Sequence, residues 1–147
     1  MFRTKASTYA MLAVIEIARR QQQEGVADVQ AGEIARCLKL PAAYAAKVLT
    51  QLARANILHS DRGPRGGFRL TRAPDSIALL DIVEAIDGSI DAGSDSLGSE
   101  RGEDFVLKSV DRVFADLAGQ VREYLKDRTI ADLASADQAT PREMLTS

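Results

Sequence analysis

The residues with the clearest chemical purpose are the arginines of a glycine-rich turn, Asp61-Arg62-Gly63-Pro64-Arg65-Gly66-Gly67. Guanidinium groups at such a tip suit phosphate oxygens and the narrow, negative minor groove of DNA, and the glycines admit positive φ and a close approach of backbone to phosphate. Upstream, Tyr44, Lys47, Gln51 and Arg54 lie on the side of an Ala-rich segment away from Ala45, Val48, Leu49 and Leu52. That is a helix with one apolar and one polar face. Other chemistry is poorly supplied: the chain has no nucleophile and base pair, no glycine-rich phosphate loop after a strand and no metal-ligand spacing, so no enzyme is expected. Cys37 is the single cysteine and His59 the single histidine. A lone thiol makes neither an intrachain disulfide nor a four-ligand metal site. Cys37 is expected to be a small buried thiol, and His59 a surface or packing group on a strand, with no metal and no cofactor bound.

The overall charge of −2 hides a division. Residues 1–75 carry 12 Lys and Arg against 6 Asp and Glu, a net of +6, whereas residues 76–147 carry 7 against 15, a net of −8. The first half is a candidate polyanion binder. At 147 residues with 46% hydrophobic content, the chain has enough apolar material for one core. Its longest apolar run, Ala10 to Ile15, falls far short of the ~20 residues that cross a bilayer, and Arg3 and Lys5 precede no cleavable signal pattern. A cytoplasmic protein without a membrane partner is expected.

The elements that must position these residues follow from the spacing. Met11, Leu12, Val14, Ile15 and Ala18 predict a first helix from Ser7, taken as its N-cap, to Gln23. A short helix is expected over Ala31–Leu38, and a second, opened by Pro41, runs to Ala55. Two short strands, Ile57–Ser60 and Gly67–Leu70, then flank the basic turn. A helix pair followed by a hairpin is a winged helix-turn-helix, whose second helix enters the major groove while the wing reaches the flanking backbone or minor groove. Leu79, Ile82, Val83 and Ile86 predict a further short helix stopped by Gly88.

At this point the chain resembles the Rrf2-type transcription regulators, which include IscR-like, NsrR-like and CymR-like repressors. The resemblance rests on Tyr9-Ala10, Tyr44, Arg62-Gly63-Pro64 with Gly66-Gly67-Phe68 and Leu70, the run Ile82-Val83-Glu84-Ala85-Ile86-Asp87-Gly88, and Ile130-Ala131-Asp132-Leu133. It implies a homodimer on a roughly palindromic operator, with helix contacts at Ala43, Tyr44, Ala46 and Lys47 and wing contacts at Arg62, Pro64 and Arg65. Ala43 and Ala46 cannot hydrogen-bond a base, although alanine can meet a thymine methyl. Discrimination therefore falls to Lys47, to Gln51 and to DNA shape read by the wing. Relatives that bind iron-sulphur clusters take three cysteines from the loop corresponding to residues 89–104 and its junction with the following helix. This chain has Ser94, Ser96 and Ser99 in that region, poor substitutes for thiolates, so no dependence on a cluster is expected.

Residues 89–104, rich in glycine and serine, are expected to form a mobile loop. From Phe105 to Lys126, Val106, Val110, Val113, Phe114, Leu117, Val121 and Tyr124 keep the spacing of a long amphipathic helix. Its ~33 Å exceeds what one small winged domain covers, so a second copy is the expected partner. The organisation expected is thus a mainly α (α+β) chain: a winged helix-turn-helix over 1–88, the loop over 89–104, a dimerisation helix and following segment over 105–133 and a frayed polar tail over 134–147. The expected function is a dimeric repressor of transcription on double-stranded DNA, answering to a protein partner, to a small ligand near residues 89–104, or to no effector at all. The alternative is a winged-helix protein-interaction module whose basic half is incidental, and salt-dependent binding of duplex DNA separates the two.

Overall fold

A computed structural model of the chain describes residues 3–63, 66–91 and 104–135. Among these residues six α-helices and one hairpin follow in chain order: α1 (Lys5–Gln23), α2 (Ala31–Leu38), α3 (Ala42–Arg54), β1 (Leu58–Asp61), β2 (Gly67–Leu70), α4 (Leu79–Asp87), α5 (Phe105–Lys126) and α6 (Ile130–Ser135), with a 3-10 turn at Pro74–Ser76. The fold is the mainly helical winged architecture expected, with boundaries shifted by a residue or two.

Helix α1 begins earlier than its apolar pattern suggests. Its N-cap is Thr4 rather than Ser7, and Ser7 is the third helical residue of a reciprocal cap: the Ser7 amide donates to Thr4 Oγ1 at 3.1 Å and the Thr4 amide donates to Ser7 Oγ at 3.0 Å. Thr4 and Ser7 satisfy amides that would otherwise lack partners, which is why a serine can be buried here. Ala10, Ala13, Val14, Ile17 and Ala18 form the buried face of α1, packed with Ile34 of α2, Leu49 and Leu52 of α3, and Leu79 and Ile82 of α4.

Between α2 and α3 the chain reverses through Lys39, whose φ of 56° and ψ of 47° place it in the left-handed region. Its amide and that of Leu40 return to the end of α2, the Leu40 N–H reaching the Ala35 carbonyl at 2.9 Å. Pro41 is the N-cap of α3, one residue before the helix it was expected to open.

Strands β1 and β2 pair antiparallel, Leu58 opposite Leu70 and Asp61 opposite Gly67. Val29 adds a third short rung, exchanging two backbone hydrogen bonds with Phe68 at 2.9 and 2.8 Å. A Cβ on Gly67 would sit 2.7 Å from the Val29 carbonyl oxygen, so only glycine allows this approach.

The end of α5 returns to the same core. The Leu79 amide donates to the Arg128 carbonyl and the Ile130 amide to the Ile77 carbonyl, both at 2.9 Å, and Ile130 is fully buried. Ala134 and Ser135, expected in a frayed tail, complete helix α6; the rest of that tail, and residues 92–103 of the expected mobile loop, lie outside the described residues. Arg122 of α5 donates to Glu84 of α4 at 2.7 Å. Burial pushes the Glu84 carboxyl up, but hydrogen bonds from Arg122, the Ile90 amide and Ser89 outweigh it and leave the group below its ordinary value. No described helix is long and apolar enough to cross a membrane.

Two measurements check this packing. Gly67→Ala should cost about 1–3 kcal/mol of stability, read as a lower urea midpoint at unchanged slope. Because the folded Glu84 pKa lies below the unfolded one, its contribution is present at neutral pH and disappears as pH falls through the folded value. Glu84→Gln should therefore flatten the acid limb of the stability profile; an unaltered limb would mean that the pair with Arg122 does not form.

Candidate nucleic-acid interface

Helix α3 stands on the helix-turn-helix with Ala45, Val48, Leu49 and Leu52 buried beneath it. Ala43, Lys47, Thr50 and Arg54 are exposed along its outer side, whereas Ala46 and Gln51 are half-buried. Thr50 was not singled out from the sequence, yet the spacing 43, 47, 50, 54 is one helical stripe and would have found it. Its hydroxyl is a donor and an acceptor that neighbouring alanines lack.

Tyr44 behaves differently from the free outward side chain expected. It is half-buried and meets Tyr9 of α1 edge to face, with ring centroids 6.0 Å apart and planes at 84°. Its ring therefore braces the start of α3 against α1. Among the described residues no side chain caps α3, and although the Tyr44 amide returns to the Pro41 carbonyl at 3.1 Å, the positive end of the helix dipole faces outward, where an anion such as a phosphate is favoured.

Beyond α3, Arg62 is exposed at the start of the hairpin tip and Gly63 has a φ of 117°. Pro64 and Arg65 lie outside the described residues. Nearer the base of the hairpin, Arg69 pairs with both Asp28 and Asp61, and His59 Nε2 lies 3.1 Å from Asp61 Oδ1. The Arg69 hydrogen bond, with a smaller one from His59, holds the Asp61 carboxyl below the usual carboxylate range. Two cationic side chains are thus assigned distinct surroundings on one hairpin, Arg62 open to solvent and Arg69 neutralised by carboxylates.

Helix α5 presents the second surface. Val106 is 74% exposed and Val113 65%, and Phe105, Val110, Phe114, Leu117 and Tyr124 are also exposed. Val121 and Leu125, nearer its end, are half-buried. The Arg128 guanidinium stacks on the Tyr124 ring, 3.3 Å from its centroid. Beside this end of α5, Met11, Leu12, Ile15, Leu79, Val83 and Leu133 line an apolar groove of about 310 Å³.

Comparison with known proteins agrees with this architecture. The family model described as Rrf2, iron-dependent transcriptional regulator, matches residues 3–136. This chain belongs to the Rrf2 family. Among family relatives, IscR of Sodalis glossinidius is 30% identical over 137 residues, covering 92% of this chain and 79% of that protein. A helix-turn-helix-type transcriptional regulator of Synechocystis is 36% identical over 134 residues, covering 88% and 85%. The structure of CymR, the global cysteine regulator of B. subtilis, superposes with a TM-score of 0.72 at 25% identity over 90% of this chain and 95% of that one. IscR of T. potens shares the fold, with a TM-score of 0.63 at 21% identity over 99% and 96%. As an Rrf2-family member the chain is a regulator of transcription rather than an enzyme.

The iron in the family's description raises the question of donors. Cys37, expected to be buried, is exposed. On the short helix α2 it lies roughly 160° round from Ala35 and so falls outside the stripe of Ile34, Ala35 and Leu38 that meets the core. Among the described residues no three His, Cys, Asp or Glu side chains converge on a metal position, and residues 92–103 contain neither Cys nor His. One thiol per chain, on α2, does not suit a thiolate-held cluster.

Proposed function

We propose that this Rrf2-family regulator is a homodimeric, sequence-specific repressor in the cytoplasm, reading a roughly palindromic operator with α3 and the basic wing and working without an iron-sulphur cluster. The observation that carries the reading is the outer stripe of α3, whose Lys47, Thr50 and Arg54 stay exposed on an apolar base. Lys47 and Thr50 read base edges, with Gln51 at the margin; Ala43 and Ala46 meet thymine methyl groups; Tyr44 sets the entry of the helix. Arg62, Pro64 and Arg65 follow the flanking groove, where guanidinium groups favour narrow, negative DNA.

One recognition helix spans only a few base pairs, so a dyad is needed for useful specificity. The exposed stripe of Val106, Val110, Val113, Phe114 and Leu117, continued by Val121 and Tyr124, supplies the contact between copies, since an apolar helix face of this length is costly to leave in water. Repression follows from occupancy alone, because a dimer lying on its operator excludes other proteins from the same DNA. An effector, protein or small molecule, would act by changing that occupancy.

The dimer and the reading surface are tested separately. Val113→Asp with Leu117→Asp should give monomers by sedimentation and abolish operator binding; a wild-type monomer that binds tightly would overturn the dimer. On a site selected from random DNA, Lys47→Ala should relax base preference at a cost of about 1–3 kcal/mol. Arg62→Ala and Arg65→Ala should instead weaken all duplexes and reduce the salt slope. Equal losses on specific and random duplexes for Lys47→Ala would show that α3 touches only phosphate, and salt-insensitive binding would favour the protein-interaction module.

A further inference from the structure

An isolated two-stranded hairpin does not hold its own orientation in water, so the wing needs an external brace. Three contacts supply it. Phe68 is hydrogen-bonded through its backbone to Val29. The Leu70 amide donates to the Gln21 side chain of α1 at 3.2 Å. Arg69 reaches out of the hairpin to Asp28 Oδ1 at 3.2 Å while also binding Asp61 across the strands.

We infer that Arg69 is a positioning residue for DNA recognition, clamping the wing through Asp28 to the segment that leads into the helix-turn-helix, so that wing and recognition helix approach DNA as one body. The inference rests on the DNA-binding reading above. Asp28 stands two residues before Gln30, the N-cap of α2, and α3 is fixed to α2 by the tight turn at Lys39. A movement at Asp28 therefore changes the angle between Arg62 and Lys47. The backbone rung at Val29 fixes the height of the hairpin base, the Leu70 to Gln21 bond ties its inner end to α1, and the Arg69 to Asp28 bond adds a side-chain tie to the segment before α2. His59 and Asp61 share the face of the hairpin that carries Arg69, since His59 is the register partner of Arg69. His59 lies beside Asp61, so Asp61 is shared between His59 and Arg69, whereas among the described residues the hydrogen bond to Asp28 comes from Arg69.

The signs of two substitutions separate a clamp from a phosphate contact. If Arg69 bound phosphate, Asp28 would only repel DNA and compete for the guanidinium. Asp28→Asn would then tighten binding, and Arg69→Gln would reduce the salt slope by about one unit. The clamp gives the opposite for the first and no change for the second. Asp28→Asn, although it removes a negative charge from the basic half, should weaken operator binding roughly twofold to fivefold, the scale of a partly exposed ion pair. Arg69→Gln should do the same at unchanged slope, and the double variant should be no worse than either single one. In the full chain, amide exchange over residues 66–70 should quicken in each variant while that of α1 stays constant, reporting an intact fold. Unchanged or tighter operator binding by Asp28→Asn, or a reduced slope for Arg69→Gln, would overturn the clamp. Should the wild type bind no duplex, the DNA reading fails on its own, and the exchange data then decide the clamp, unaltered exchange over 66–70 overturning it.

Discussion

The rest of the structure depends on one close approach, that of the Val29 backbone to Phe68 over the bare Cα of Gly67. Two strands of four residues have too little area to stand as a sheet. The third rung makes them an extension of the domain, and it forms only because Gly67 has no Cβ to collide with Val29. Once the rung exists, the chain before α2 and the chain after α3 are tied together, and the helix-turn-helix is held at both ends. The buried side chains Ile57 and Leu58 then fill the space under the hairpin.

A second tie does comparable work for the other half. Helix α5 is mostly exposed and has few contacts of its own to orient it, yet its direction is set where it re-enters the core through Arg128, Ile130 and the Arg122 to Glu84 pair. The C-terminal end of α5 is thus fixed to α4, whose position in turn depends on α1. The acidic balance of residues 76–147 also fits the division of labour, since a net negative second half is repelled by DNA and leaves the basic half to face it.

Much of this was legible from periodicity. The apolar spacing of α5 placed its ends at Phe105 and Lys126, and the Pro41 and glycine signals placed α3 and the hairpin, because each of these elements is decided by local pattern. What stayed hidden depended on partners distant in sequence. Ser7 looked like an N-cap because its type suits one; Thr4 wins the position since the reciprocal bond between the two residues satisfies both amides. Cys37 looked buried by type, but an eight-residue helix has room for only a narrow buried stripe. Tyr44 turned inward because Tyr9 waits there. Ile130 gave no local sign that it would fill the core of a domain that seemed to end forty residues earlier.

Arg69 is the case in which residue type misleads most. In a basic half, on a hairpin proposed to follow DNA, an arginine is naturally read as a phosphate ligand, and its neighbour Arg62, exposed to solvent, is placed to be one. Charge alone cannot separate the two, because both add the same amount to the local potential. Pairing does: Nη1 of Arg69 already serves two carboxylates that offset its charge, and turning it to a phosphate would leave Asp28 and Asp61 as uncompensated anions beside a polyanion. The exchange would replace one set of charge-assisted bonds with another while adding repulsion. An arginine so placed contributes more by fixing the direction of Arg62 than by reaching the DNA itself.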